Sequence, residues 1–118
     1  MRVKDAVGRF GEQVAAEHLE AAGLVILARN WRCREGEIDI VARDGADLVV
    51  VEVKTRSSDA FGTAAEAVGR VKAARVRTLA LRWLAEHRDT AWPVVRFDVV
   101  AVTRRATGVE IDHVRDAF

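Results

Sequence analysis

The stretch Val49-Val50-Val51-Glu52-Val53-Lys54 constrains this chain more than any other. Its run of β-branched residues favours a buried strand. Glu52 and Lys54 interrupt the run with charge. Side chains alternate across a strand, so both point to one face and Val53 to the other. A carboxylate and an ammonium at the end of an apolar strand are costly to bury unless something uses them. Just upstream, Gly36-Glu37-Ile38-Asp39-Ile40-Val41 reads as a neighbouring strand with Asp39 set between apolar residues. Asp44-Gly45 is a tight-turn signal, which makes the two strands an antiparallel hairpin. In that hairpin Asp39 lies about as far from the turn as Glu52 and Lys54, so all three can share the open end of the sheet.

The flanking segments supply a scaffold of order α-β-β-β-α-β-β. Ala6 to Ala22 carries Val7, Gly11, Val14, Ala15, Leu19 and Ala22 at helical spacing, and Gly23 follows where a helix often ends. Glu12 sits beside that stripe. Spacing alone favours a boundary carboxylate near the helix dipole, and the alternative is that Glu12 joins the acidic pair. Leu24 to Arg32 reads as a first strand and Cys33 to Glu35 as a polar turn. Gly36 to Arg43 and Asp47 to Lys54 form the hairpin. Thr55 to Thr63 is a polar loop directly after the charged strand end, a usual place for substrate contact. Ala64 to His87 is a long helix, Val94 to Thr103 a fourth strand, and Val109 to Val114 a short edge strand.

On the long helix, Ala65, Val68, Val76, Leu79, Ala80 and Trp83 share a face, and Lys72 falls near its middle. Lys72 either lays its stem on the core and lifts its head to water, or points toward the acidic cluster or a phosphate. Arg70, Arg75, Arg77 and Arg82 populate the other faces. Such a face is usually just solvated, and it lends weak support to a polyanionic partner.

The 118 residues, half of them hydrophobic, fit one domain, residues 1–118, with one core. A net charge of +1 does not by itself announce a nucleic-acid binder. The single cysteine, Cys33, excludes an intramolecular disulfide and a thiolate metal cluster. The first residues lack an apolar signal region, and no apolar run approaches the roughly twenty residues of a membrane span. A cytoplasmic protein with no membrane partner is the expectation. His18, His87 and His113 lie far apart and show no ligand spacing, so a structural or surface role is expected for each.

Asp39 and Glu52 together could hold Mg²⁺ or Mn²⁺, hard cations that prefer oxygen, with the Val53 carbonyl as a further ligand. Lys54 would position the attacking water and offset charge in a phosphodiester transition state. Thr55 and Arg56 suit contacts to neighbouring phosphates.

Several motifs together resemble a known superfamily. They are Gly8-x-x-Gly11-Glu12-x-x-Ala15, Arg29-Asn30-Trp31-Arg32, Gly36-Glu37-Ile38-Asp39, Val51-Glu52-Val53-Lys54-Thr55-Arg56, Phe61-Gly62 and Val68-x-x-x-Lys72. They span nearly the whole chain, which resembles the PD-(D/E)xK nucleases and, within them, the YraN-like family. The resemblance implies an α/β restriction-endonuclease-like core, a mixed sheet of about five strands flanked by helices, close to Holliday-junction resolvases. It implies an active site at Asp39, Glu52 and Lys54, completed at the metal by Glu12 and assisted by Lys72. Ile38 stands where the motif's proline would be, a departure the superfamily tolerates.

The leading expectation is therefore a Mg²⁺- or Mn²⁺-dependent endonuclease acting on nucleic acid, with branched DNA as one substrate. Its rival is a non-catalytic nucleic-acid-binding module that keeps the fold and the basic helix, with Lys72, Arg75, Thr55 and Arg56 as contacts. A protein-interaction subunit is a third reading, and the last strand could support a homodimer.

Overall fold

The computed structural model describes residues 5–57 and 70–118, and side chains from residue 73 onward in the second part. The elements are α1 (Ala6–Ala21), β1 (Val25–Cys33), β2 (Gly36–Asp44), β3 (Asp47–Arg56), α2 (Arg70–Glu86), β4 (Val95–Arg105) and β5 (Gly108–Val114). The strands form one sheet in sequence order. β3 and β4 run parallel, and every other neighbouring pair runs antiparallel. The parallel pair is joined through α2, because parallel neighbours need a long crossover. This is the α/β class and the mixed five-stranded sheet that the sequence led us to expect. The residues before Arg70, where the second helix was expected to start, lie outside the described part. Cys33 closes β1 rather than opening a turn.

Local chemistry explains the element ends. The Asp5 carboxylate accepts from the Gly8 N–H at 2.8 Å and caps α1. The β2–β3 hairpin closes at Asp44↔Asp47, with Gly45 at φ 61, a left-handed conformation that glycine adopts without strain.

Each helix covers one face of the sheet. Ala15, Ala16 and Leu19 of α1 pack on Ile40, Ala42, Val49, Val51, Val100 and Val102. Val76, Leu79, Ala80 and Trp83 of α2 pack on Ile38, Val41, Leu48 and Val50. Small residues let α1 lie close: a Cβ built on Gly11 would meet the Thr55 Cβ at 2.8 Å. β5 is an edge, with Val109 and Ile111 exposed. Among the described residues no helix is long and apolar enough to cross a membrane.

Candidate metal centre

The site begins with a fault in the sheet. The β2–β3 ladder runs from Asp44↔Asp47 to Ile40↔Val51 and stops there. The next step would pair Asp39 with Glu52. On the other side, β1 pairs Arg29 with Ile40 and Trp31 with Ile38, skipping Asn30 and Asp39. Asn30 has φ 53, a left-handed conformation that asparagine tolerates better than most residues. The fault shifts which face each residue serves. Ile40 packs on the α1 side, whereas Ile38 and Val41 both pack on the α2 side. Strict alternation would put Ile38 and Ile40 together, so the in–out alternation of β2 slips at Asp39–Ile40, although its register against β1 is the same on both sides and shifts only between Ile26 and Ala28.

The slip turns Asp39 toward α1. Carboxylate oxygens of Asp39, Glu37 and Glu12 all lie within 4.8 Å of one another. Glu12 and Asp39 are buried, at 3% and 9% exposure. Asp39 is fixed by the Val53 N–H, which donates to its Oδ2 at 2.9 Å. That side chain takes up a strand donor where the ladder has ended. Glu37 accepts from the Arg32 Nε at 2.8 Å. Glu12 reaches the group because Gly11 lets the first turns of α1 settle on Thr55.

β3 keeps its alternation throughout its pairing with β4. Val49, Val51 and Val53 face the α1-side core, and Thr55 touches Gly11. Glu52, Lys54 and Arg56 therefore fall on the face turned toward α2. Glu52 is buried at 5% exposure and is not one of the three clustered acids. Lys54 is half-buried, and the Arg56 Nε lies 3.5 Å from the Thr103 hydroxyl. Thus Glu12 and Asp39 come together as the resemblance implied, Glu37 joins them, and Glu52 with Lys54 occupies the adjoining strand on the other face. Val53 takes part through its N–H. The Lys72 side chain lies outside the described residues, and Arg75 is exposed on α2.

Glu37 was given no role by the sequence. The signal was its spacing: Glu37 and Asp39 are two apart on one strand and share a face. Three oxygen-bearing acids, two of them buried, make a donor set that fits Mg²⁺ or Mn²⁺ and not a soft metal.

A second buried acid has a different setting. Asp98 is wholly buried on β4. Arg96 donates to both its oxygens, from Nε at 2.9 Å and from Nη2 at 3.1 Å. The His113 Nε2 lies 2.8 Å away, and the Asp116 N–H donates at 3.0 Å. Burial pushes the Asp98 carboxyl up, but His113, Arg96 and the Asp116 N–H outweigh it and hold the group below its ordinary value. The His113 Nδ1 in turn lies 3.2 Å from the His18 Nε2, tying β5 to α1. The structural role expected of these two histidines is what is found, although their pairing across the chain carries no local signature.

Fold and site together define an α/β domain whose mixed sheet carries an acidic cluster at a break in its second strand. The chain belongs to the uncharacterised protein family UPF0102, the YraN-like group, whose model matches residues 11–102. It is 65% identical to a UPF0102 protein of Frankia alni, covering 100% of this chain and 98% of the relative. A UPF0102 protein of Frankia casuarinae is 61% identical, with 100% of both chains covered. One of Beutenbergia cavernae is 60% identical over 98% of each.

Proposed function

We propose that this protein is a divalent-metal-dependent endonuclease hydrolysing nucleic-acid phosphodiester bonds. One observation carries the proposal: Glu12, Glu37 and Asp39 bring carboxylate oxygens within 4.8 Å of one another at the end of the hairpin. Burial of like charges in one place is costly unless a cation neutralises them. Asp39 and Glu12 would hold Mg²⁺ or Mn²⁺, with Glu37 as a further donor. The ion would supply charge neutralisation on the phosphate and a more acidic bound water. Asp39, pinned by the Val53 N–H, keeps its geometry without reorganising. Lys54 lies on the other face of β3 and would offset charge on the phosphate only by reaching around the strand end, while Thr55 is packed on Gly11 and Arg56 lies beside Thr103, away from the cluster. The motif resemblance to the PD-(D/E)xK nucleases supports the same reading, with DNA, branched DNA included, as substrate.

The test is incubation with branched, single-stranded and duplex DNA in Mg²⁺ or Mn²⁺. Cleavage should appear with metal and disappear in Asp39→Asn and Glu12→Gln, with a smaller loss in Lys54→Ala. Cleavage that persists in all three variants would sink the assignment.

The position of Glu52 favours a second reading, a nucleic-acid-binding module without catalysis. Glu52 stands apart from the clustered acids, and α2 displays Arg75 and Arg77 to solvent. That module would bind DNA in a salt-dependent way without cleaving it, and charge reversal at Arg75 and Arg77 would weaken binding while Asp39→Asn would not.

A further inference from the structure

Away from the acidic cluster, where the C-terminal end of α2 crosses the sheet near the hairpin turn, lies a cleft of about 270 Å³. Its wall is aromatic. Trp83 and Trp92 both line it, and His87 stacks on Trp83 with ring centroids 4.0 Å apart and planes 12° apart. Its polar groups converge from three segments: Arg43 from β2, His87 from the end of α2, and Asp89 and Thr90 from the following turn. Arg43 makes no ion pair among the described residues, although this chain pairs many of its other arginines.

The indole nitrogens of Trp83 and Trp92 are enclosed, so neither N–H is open to a ligand in the cleft, and Trp83 as a whole is only 4% exposed. What the cleft presents is the Trp92 ring, the His87 ring and the polar groups around them. His87 is held in place: its Nδ1 lies 2.7 Å from the Trp83 carbonyl oxygen, which only accepts, so Nδ1 carries the proton.

We infer that this cleft binds a nucleobase together with its phosphate. A planar heterocycle is the ligand class that combines a stacking surface with an edge of donors and acceptors. Trp92 and the His87 ring, backed by Trp83, supply the aromatic wall. Asp89, Thr90 and the His87 Nε2 supply partners for the base edge, and Arg43 supplies a guanidinium for the phosphate. The volume, about 270 Å³, lies just below the range of about 300–1,000 Å³ typical of drug-sized ligands and suits a small ligand. In taking nucleic acid as a source of the base, the inference rests on the function proposed above. The cleft itself does not involve the acidic cluster.

The test is direct binding in EDTA, so that the metal site plays no part. The probes are a short single-stranded oligodeoxyadenylate, an abasic strand of equal length, and free deoxyadenosine monophosphate. The base-bearing strand should bind about tenfold tighter than the abasic one and quench tryptophan fluorescence. Arg43→Gln, at an exposed position, should weaken it about fivefold or more. Trp92→Leu should abolish the preference for bases, and Trp92→Phe should restore most of it, separating lost stacking from lost folding. If the monophosphate competes as well as the strand, the ligand is a free nucleotide; if it fails where the strand binds, the ligand is an unpaired base. Equal binding of base-bearing and abasic strands, or an unchanged preference in both Arg43→Gln and Trp92→Leu, would overturn the inference. Cleavage assays in Mn²⁺ report separately on the proposed nuclease, so either proposal can fail alone.

Discussion

Replacing Gly11 by alanine tests how the scaffold delivers Glu12. In an isolated helix the change would be favourable by about 1 kcal/mol, because alanine is the better helix former. Here the new Cβ would lie 2.8 Å from the Thr55 Cβ and 3.0 Å from its Cγ2. Ordinary carbon contacts fall at about 3.5–4.0 Å, so α1 must retreat by roughly 0.7 Å or more. Rotation of the Thr55 side chain cannot relieve this, because its Cβ is fixed to the backbone. Overpacking of this kind costs about 1–3 kcal/mol, and a clash with a backbone-anchored atom belongs at the upper end. The net loss is about 1–2 kcal/mol, or roughly 3–8 °C in Tm for a domain of this size. Because Glu12 moves with the helix, stabilisation by Mn²⁺ should shrink as well. An intact site at a hundredfold excess of metal over Kd would gain about 2.7 kcal/mol. Thr55→Ala in the same background removes Oγ1 and Cγ2 but leaves Cβ, so it should recover only part of the loss. Thermal unfolding followed by circular dichroism, with and without Mn²⁺, reads both effects. A higher Tm in Gly11→Ala with an undiminished response to Mn²⁺ would refute the argument.

Three further perturbations address other parts of the chain. Asp39→Asn keeps an oxygen to accept from the Val53 N–H and removes one of the clustered charges, so apo stability should hold or rise while most Mn²⁺ binding is lost by calorimetry; full binding would exclude Asp39 as a ligand. Burial, together with His113 and Arg115, lowers the pKa of His18. Its unfolded pKa is about 6.5, so the unfolded chain takes up the proton first; stability is full above that pH and declines as pH falls toward the folded value. His18→Asn should flatten that decline in urea titrations, and parallel slopes would contradict the assignment. Asp98→Ala removes the acceptor of His113 and two of the hydrogen bonds of Arg96, which keeps Asp44 at 3.1 Å, and should cost about 3 kcal/mol, more than Asp39→Asn, by the same titration. In the intact chain the lowered Asp98 pKa keeps its contribution present above about pH 3.9 and loses it as pH falls through the folded value.

Much of the fold could be read from patterns that act locally. Asp44-Gly45 fixes the hairpin, and the hairpin then fixes its register: counting on from Ile40↔Val51 brings Asp39 opposite Glu52, as distance from the turn required. The described core face of α2 followed from helical spacing, whereas on α1 only Gly11, Ala15 and Leu19 of the expected stripe are buried: Val7 and Ala22 are exposed, and Glu12 and Ala16 are buried instead. The site was legible only in part. Alternation along β2 was read as unbroken, whereas the strand slips at Asp39 beside a left-handed Asn30. Asparagine tolerates that conformation but does not announce it. The slip decides which acids meet, and so Glu37 went unassigned while Glu52 was expected at the centre. The His18–His113 contact joins residues 95 positions apart and leaves no local trace. The nearby Trp92 and Thr90 likewise gain meaning only when α2 is laid across Arg43.

Asp39 and Asp98 show why environment, and not residue pattern, separates function from architecture. Each is an aspartate between apolar neighbours on a central strand. The chain answers the charge of Asp98 from within, with a guanidinium, an imidazole and a backbone N–H. That network is complete, and adding a metal ion should not affect it. Asp39 instead meets two more acids. Like charges at 4.8 Å repel by between about 1 and 3 kcal/mol per pair, depending on how much water reaches them. The Arg32 contact to Glu37 offsets part of this. A divalent cation shared by Asp39 and Glu12 would relieve this repulsion and gain binding energy from it. On this argument Mn²⁺ should raise the Tm of the wild-type chain and of an Arg96→Lys variant by similar amounts, since the Asp98 network is independent of the acidic cluster. A metal response lost in Arg96→Lys, with its fold intact, would show that the two acids are coupled and that the distinction between them is false.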